Sequence, residues 1–153
     1  MDYVKHNKEE HQKAKDLMKK IEKAKSNKKD LFRELFVMIY AHHTAEEETI
    51  FPILKERAKK EDYSTVLEMI EEHNLIKYQF SLVERTSEEN ESWDAKFSVL
   101  SEIIEHHLDE EETDLSPVFK DLMTKEESKE QMIAFEEVFS QREKEKKKEL
   151  GIK

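Results

Sequence analysis

Apolar residues recur every three to four positions along five stretches of this chain, and each stretch reads as an amphipathic helix. The first runs from about Tyr3 to Ala24, with Val4, His11, Ala14, Met18 and Ile21 on one stripe. A polar connection, Lys25 to Asp30, ends it, and Asp30 is the expected N-cap of the second helix. That helix carries Leu31, Leu35, Met38, Ile39, His42, Glu46, Ile50 and Ile53 inward, and Pro52 should kink it or end it just before. The third stretch, about Asp62 to Glu88, repeats the first at an offset of 62 residues, so that Val4 meets Val66, His11 meets His73 and Ile21 meets Val83. The fourth, about Trp93 to Lys120, repeats the second at an offset of 65, pairing Leu35 with Leu100, Ile39 with Ile104 and His42 with His107. The pattern predicts an all-α fold: a duplicated helical hairpin closed into an up-down-up-down four-helix bundle over residues 1–122. Thr124-Lys-Glu-Glu127 is a capping box that opens a fifth helix in the segment 123–153. Its Met132, Ile133, Phe135, Val138 and Phe139 should pack on the bundle or form a homodimer contact.

Composition sharpens this picture. One glycine and two prolines leave little from which to build hairpins, and 153 residues suit one hydrophobic core. A net charge of −10 argues against nucleic acid as a partner, and the basic run Arg142 to Lys148 is interleaved with glutamate. With no cysteine, thiolate zinc sites, iron–sulfur clusters and thiol catalysis are excluded. The longest apolar run, Leu35 to Ala41, is far short of the ~20 residues that a membrane span needs. With no signal-peptide pattern at the N-terminus, a soluble cytoplasmic protein is the expectation.

The candidate chemistry lies on the inner stripes. His42-x-x-x-Glu46, followed by Pro52, returns as His107-x-x-x-Glu111, followed by Pro117. Residues four apart share a helix face, so each imidazole and carboxylate can close on one metal ion or on two adjacent ones. His11 and His73 supply one further histidine per half. A single core histidine usually signifies no more than a satisfied hydrogen bond. Four at repeat-related positions, with two glutamates that would be costly to bury unpaired, favour a dinuclear metal site. His43 and His106 point about 100° away from their ligand neighbours. They are expected to support the site or to lie on the surface, His43 being the better placed because it faces Glu47. His6 should be exposed. No histidine has a glutamate three residues before it, as the Glu-x-x-His ferritin-like pattern requires, and no His-Glu-x-x-His motif is present.

A lone histidine in the first helix, then His-x-x-x-Glu with a trailing Phe-Pro, and then the same again, resembles the hemerythrin-like or HHE cation-binding domain family over residues 1–120. By that resemblance His11 and His42 would hold one iron and His73 and His107 the other. Glu46 and Glu111 would bridge the pair, with oxo, hydroxo or water completing it. The oxygen-carrying hemerythrins have a second histidine one turn after the third-helix ligand, where this chain has Lys77, mirrored by Lys15. They also use His-x4-Asp where this chain has His107-x3-Glu111. These departures imply a more symmetric site with one nitrogen ligand fewer, and they count against reversible oxygen carriage. Lys15 and Lys77 either reach the site or snorkel to the bundle surface.

Imidazole and carboxylate suit Fe(II), Mn(II) or Zn(II). The leading expectation is two iron ions that bind or sense O2, NO or peroxide. A peroxidase, NO reductase or ferroxidase-like oxidoreductase is the enzymatic alternative, and a metal-stabilised interaction bundle is the third.

Overall fold

A computed structural model describes residues 2–152; the outermost residues of the two expected segments, 1 and 153, lie outside the described residues. The first helix, α1 (Tyr3–Lys23), starts on an Asp2 side-chain cap to the Lys5 amide. The second rod comprises α2 (Lys28–Ala45), a π turn (Glu46–Ile50) and α3 (Phe51–Arg57). It is followed by α4 (Glu61–Glu84) and by a fourth rod of α5 (Trp93–Glu110), a second π turn (Glu111–Leu115) and α6 (Ser116–Leu122). The last helix, α7 (Lys125–Glu149), opens on the expected capping box of Thr124 and Glu127. The four rods pack antiparallel as a helical bundle, with α7 laid along α2.

Two expectations need correcting. Asp30 does not cap α2: the helix begins at Lys28 after Asn27, which takes the left-handed conformation that asparagine tolerates (φ 59°). Asp30 instead sits in the first turn, where a carboxylate favours the positive end of the helix dipole. Pro52 also does not end its rod, since regular α-helix resumes at Phe51 with the proline in its first turn. Proline offers no N–H to the carbonyl four residues back, and the ring crowds that carbonyl. The chain answers with a wider turn, in which the Phe51 amide reaches back five residues to Glu46 O. Pro117 has the same consequence, with the Ser116 amide bonding Glu111 O. Each π turn admits one extra residue, so the inward stripe advances by one. Leu54 is therefore buried, where strict α periodicity nominates Ile53.

The core is divided. One apolar cluster, around Phe32, Phe36, Phe80, Trp93 and Phe97, fills one end of the bundle. A second, around Tyr3, Phe51, Phe119 and Phe135, fills the other. Between them lies a polar layer of buried His11, His42, His43, Glu46, His73, His107 and Glu111.

The duplication also explains where α7 docks. On its outer side α2 carries Val37, Tyr40, Ala41 and Thr44, of which Val37 and Ala41 are buried. At an offset of 65 the same positions of α5 are Glu102, Glu105, His106 and Asp109, all exposed. Only the first surface can bury a helix without stranding charge. Lys146 fastens the contact by lying 4.3 Å over the Phe36 ring and 4.6 Å over that of Tyr40. Arg142 adds a paired contact to Glu48, at 3.0 Å through each of Nε and Nη2. Among the described residues no helix is long and apolar enough to cross a membrane.

Candidate metal centre

All six side chains nominated by the repeat lie in the polar layer, each no more than 2% exposed. They fall into two groups whose ligand atoms lie within 4.8 Å of one another: His11, His42 and Glu111 in one, and Glu46, His73 and His107 with a further residue, His43, in the other. The carboxylates reach across. Glu46 Oε1 lies 3.4 Å from His73 Nε2 and 3.6 Å from His42 Nε2. Glu111 turns Oε2 to His107 Nε2 at 3.1 Å and Oε1 to His11 Nε2 at 3.7 Å.

His43 joins the second group, beyond the two histidines on each side that the repeat nominates. It is 1% exposed, stacks on His73 with ring centroids 3.7 Å apart, and leaves its Nε2 without a hydrogen-bond partner. The helical wheel holds the missed signal. At 100° per residue, Leu35, Ile39 and Glu46 point within about 40° of each other, and their mean direction passes between His42 and His43, about 40° from one and about 60° from the other. Taking His42 as the centre of the stripe hides this. On α5 the corresponding mean direction lies about 140° from His106, which is accordingly exposed. The repeat counterpart of His43 is Leu108, also buried. The asymmetry of three imidazoles against two is therefore built by one His-for-Leu difference between the halves. His6, expected to be exposed, is half-buried against the Phe135 ring at 5.8 Å.

The polar surroundings of the layer are themselves repeated. Glu47, the residue after Glu46, lies 3.2 Å from His73 Nδ1; Glu112, the residue after Glu111, lies 3.0 Å from His11 Nδ1. Glu72 lies 2.7 Å from His107 Nδ1. Such outer carboxylates fix ring orientation and leave Nε2 free to ligate. Sequence reasoning named Glu47 but missed Glu72 and Glu112, because which imidazole faces which neighbouring rod is a tertiary fact. Neither lysine reaches the polar layer: Lys77 bonds Glu47 at 3.3 Å and Lys15 bonds Asp109 at 2.7 Å. Two further donors were not foreseen. The Tyr3 hydroxyl lies against Glu46 Oε2 and 3.2 Å from Glu111 Oε1, and the Asn7 amide donates to Glu111 Oε1 at 2.7 Å. Neither Tyr3 nor Asn7 has a like residue at its repeat position, which is Thr65 for one and Met69 for the other.

Electrostatics separate the members. Burial alone would depress the His11 and His107 imidazoliums, but the carboxylates outweigh it. Glu111 and Glu112 hold His11 up at about 9, and Glu111 and Glu72 hold His107 up at about 10. Burial wins at His73, lowered to about 4 despite Glu47, and at His43, pushed well down by burial and by its imidazole neighbours. Burial and the Glu111 charge raise Glu46 to about 7. Glu111, though equally buried, is held low by its close contacts with Glu46, His107 and His11.

The donor set fits metal ions. His11 Nε2, His42 Nε2, His43 Nε2, Glu46 Oε1 and Glu111 Oε2 are all buried without a hydrogen-bond partner, a cost of about 1–3 kcal/mol for each such atom. His73 Nε2 and His107 Nε2 stand 3.1 Å apart, aimed at one another. Two ligand nitrogens about 2.1 Å from one ion and at right angles across it are about 3 Å apart. The spacing, also that of a hydrogen bond between the rings, accommodates two imidazoles sharing a cation.

Comparison with known proteins bears on the fold and the family. The chain is similar in fold to the crystal structure of a hemerythrin HHE cation binding domain-containing protein from Mycobacterium kansasii. The TM-score is 0.81 at 23% sequence identity, covering 95% of this chain and 89% of the other. No curated protein matches it in sequence. The model of the Hemerythrin HHE cation binding domain matches residues 3–119. That match takes in every buried histidine and glutamate of the polar layer, and the chain belongs to the hemerythrin HHE cation-binding domain family.

Proposed function

We propose that this protein holds two metal ions, iron in the first instance, and uses them to bind or sense O2, NO or peroxide. His43, His73, His107 and Glu46 would hold one ion, and His11, His42 and Glu111 the other, each carboxylate also reaching its neighbour's ion. The observation that carries this reading is the convergence of buried Nε2 and Oε atoms from four rods on one layer, with those of His11, His42, His43, Glu46 and Glu111 lacking a hydrogen-bond partner. When bound, such a pair supplies redox and Lewis-acid chemistry to a small molecule held across it.

The chain's own residues set the conditions for that chemistry. Ile39, Leu100 and Ile104 close the layer on one side, and Ile50, Leu54 and Phe51 close it on the other; all are buried. This apolar packing excludes bulk water and admits small neutral ligands in preference to bulky substrates. The His11–His42 side has two imidazoles where the other has three, so it has the more room for an external ligand. It is also the side on which the Tyr3 hydroxyl and the Asn7 amide gather around Glu111 Oε1 and fix that carboxylate in place.

Anaerobic reconstitution with Fe(II), followed by metal counting and absorption spectroscopy on admitting oxygen, tests the reading. Near two irons per chain, with new ligand-to-iron charge-transfer absorption, is expected. His42→Ala and His107→Ala should each lower iron content sharply, and His6→Ala should not. A wild-type chain that takes up no iron would overturn the reading. Stoichiometric ligand binding identifies a carrier or sensor, and multiple turnovers with an added electron donor identify an oxidoreductase.

A further inference from the structure

The tripeptide Glu9-Glu10-His11 of α1 returns as Glu71-Glu72-His73 in α4. In the second half the middle residue has a definite task, since the Glu72 carboxylate holds Nδ1 of His107, the histidine on the adjoining rod. The equivalent pair in the first half is Glu10 and His42. There the contact is missing, and both members are left wanting. His42 Nδ1 is buried and has no hydrogen-bond partner. The Glu10 side chain, only 14% exposed, is held by two long contacts, 3.9 Å from His6 Nε2 and 3.5 Å from the exposed Lys13 ammonium. Glu10 lies on the wall of a cleft of about 770 Å³ between α1, α2 and α7, beside Val37, Met38 and Phe139, and so has room to turn.

On the dinuclear reading, on which this inference rests, we infer that Glu10 is the positioning carboxylate of His42. With Nε2 of His42 committed to a metal ion, the ring's proton sits on Nδ1 and requires an acceptor. Three of the four histidines that the repeat pairs already have one: Glu112 for His11, Glu47 for His73 and Glu72 for His107. Glu10 occupies the fourth place in the repeat and turns from His6 and Lys13 to fill it, fixing the tautomer and plane of His42. The halves differ in what packs on the imidazole: α7 brings Phe135 to 5.2 Å from the His42 ring. An apolar ring accepts no hydrogen bond from Nδ1, so the proton there needs the carboxylate.

The test uses Co(II) as the probe, titrated into the full-length chain against a competing chelator, with proton NMR of the paramagnetically shifted, exchangeable imidazole N–H resonances. Glu10→Ala should weaken one of two Co(II) sites about 10–100-fold and shift the His42 N–H resonance. Glu72→Ala should do the same at the other site. Glu10→Gln keeps an oxygen acceptor and should recover most of the affinity, and Glu10→Ala should add no further loss in a His42→Ala background. Melting of the metal-free variants shows whether the fold is intact. If the wild type takes up two Co(II) ions and Glu10→Ala matches it in both affinity and resonance position, this inference fails and the dinuclear reading stands. If the wild type takes up none, both fall.

Discussion

Replacing His43 by leucine should strengthen the metal-free protein and weaken its hold on metal. His43 is 1% exposed, neutral because burial and the neighbouring imidazoles disfavour its charge, and its Nε2 has no partner. Leucine is of similar volume and already fills the equivalent position, Leu108, with no exposure. Removing an orphaned buried nitrogen gains about 1–3 kcal/mol. Losing the stack on His73 costs about 0.5–1.5 kcal/mol. The net gain is about 0.5–1.5 kcal/mol, and at about 2–4 °C per kcal/mol for a chain of this size the Tm of the stripped protein rises by about 1–6 °C. In the presence of metal the order reverses. Losing one imidazole donor reduces the stabilisation that metal confers, and each hundredfold loss of affinity removes about 2.7 kcal/mol. Paired thermal melts with and without Fe(II) under anaerobic conditions, together with metal counts, read both halves of the prediction. A variant less stable in both states, with unchanged metal content, would show that His43 is a core support and not a ligand.

Tyr3→Phe removes the hydroxyl that lies between Glu46 and Glu111, and should destabilise the stripped protein by about 1.5–3 kcal/mol, the range for hydrogen bonds to charged groups, as read by denaturant titration. An unchanged midpoint would mean that those carboxylates are satisfied otherwise. Phe135→Ala should cost about 3–5 kcal/mol, since the ring is fully buried against Tyr3 and His42, and should speed metal exchange with a chelator by opening the layer to water. Proton accounting supplies the pH dependence. With His11 held at about 9 and His107 at about 10, both are protonated in the stripped protein at pH 7.5, and ligation requires them neutral. Metal uptake there should release about two protons per chain, read from the dependence of the calorimetric enthalpy on buffer ionisation, and affinity should rise with pH until those groups have titrated. A slope near zero would refute it.

The sequence by itself determined the bundle and most of its buried polar layer. The periodicity of apolar residues and the scarcity of glycine and proline dictated helices, and the offsets of 62 and 65 made the second half a copy of the first. His11, His42, Glu46, His73, His107 and Glu111 were legible because repetition on an inward face is a local property, readable one helix at a time. What only the tertiary structure decided concerns relations between helices. The π turns at Glu46 and Glu111 advance the stripe by one residue, a change that α periodicity cannot foresee. His43 became part of the polar layer because the inward direction of α2 falls between two adjacent residues, and only packing against α4 and α5 shows that both are enclosed. Tyr3, Asn7, Glu72 and Glu112 are more than 30 residues from the side chains they hold, so no local pattern marks them. Helix α7 settled on α2 because α5 carries charge where α2 carries apolar groups, and that preference takes effect only when both surfaces compete for one helix.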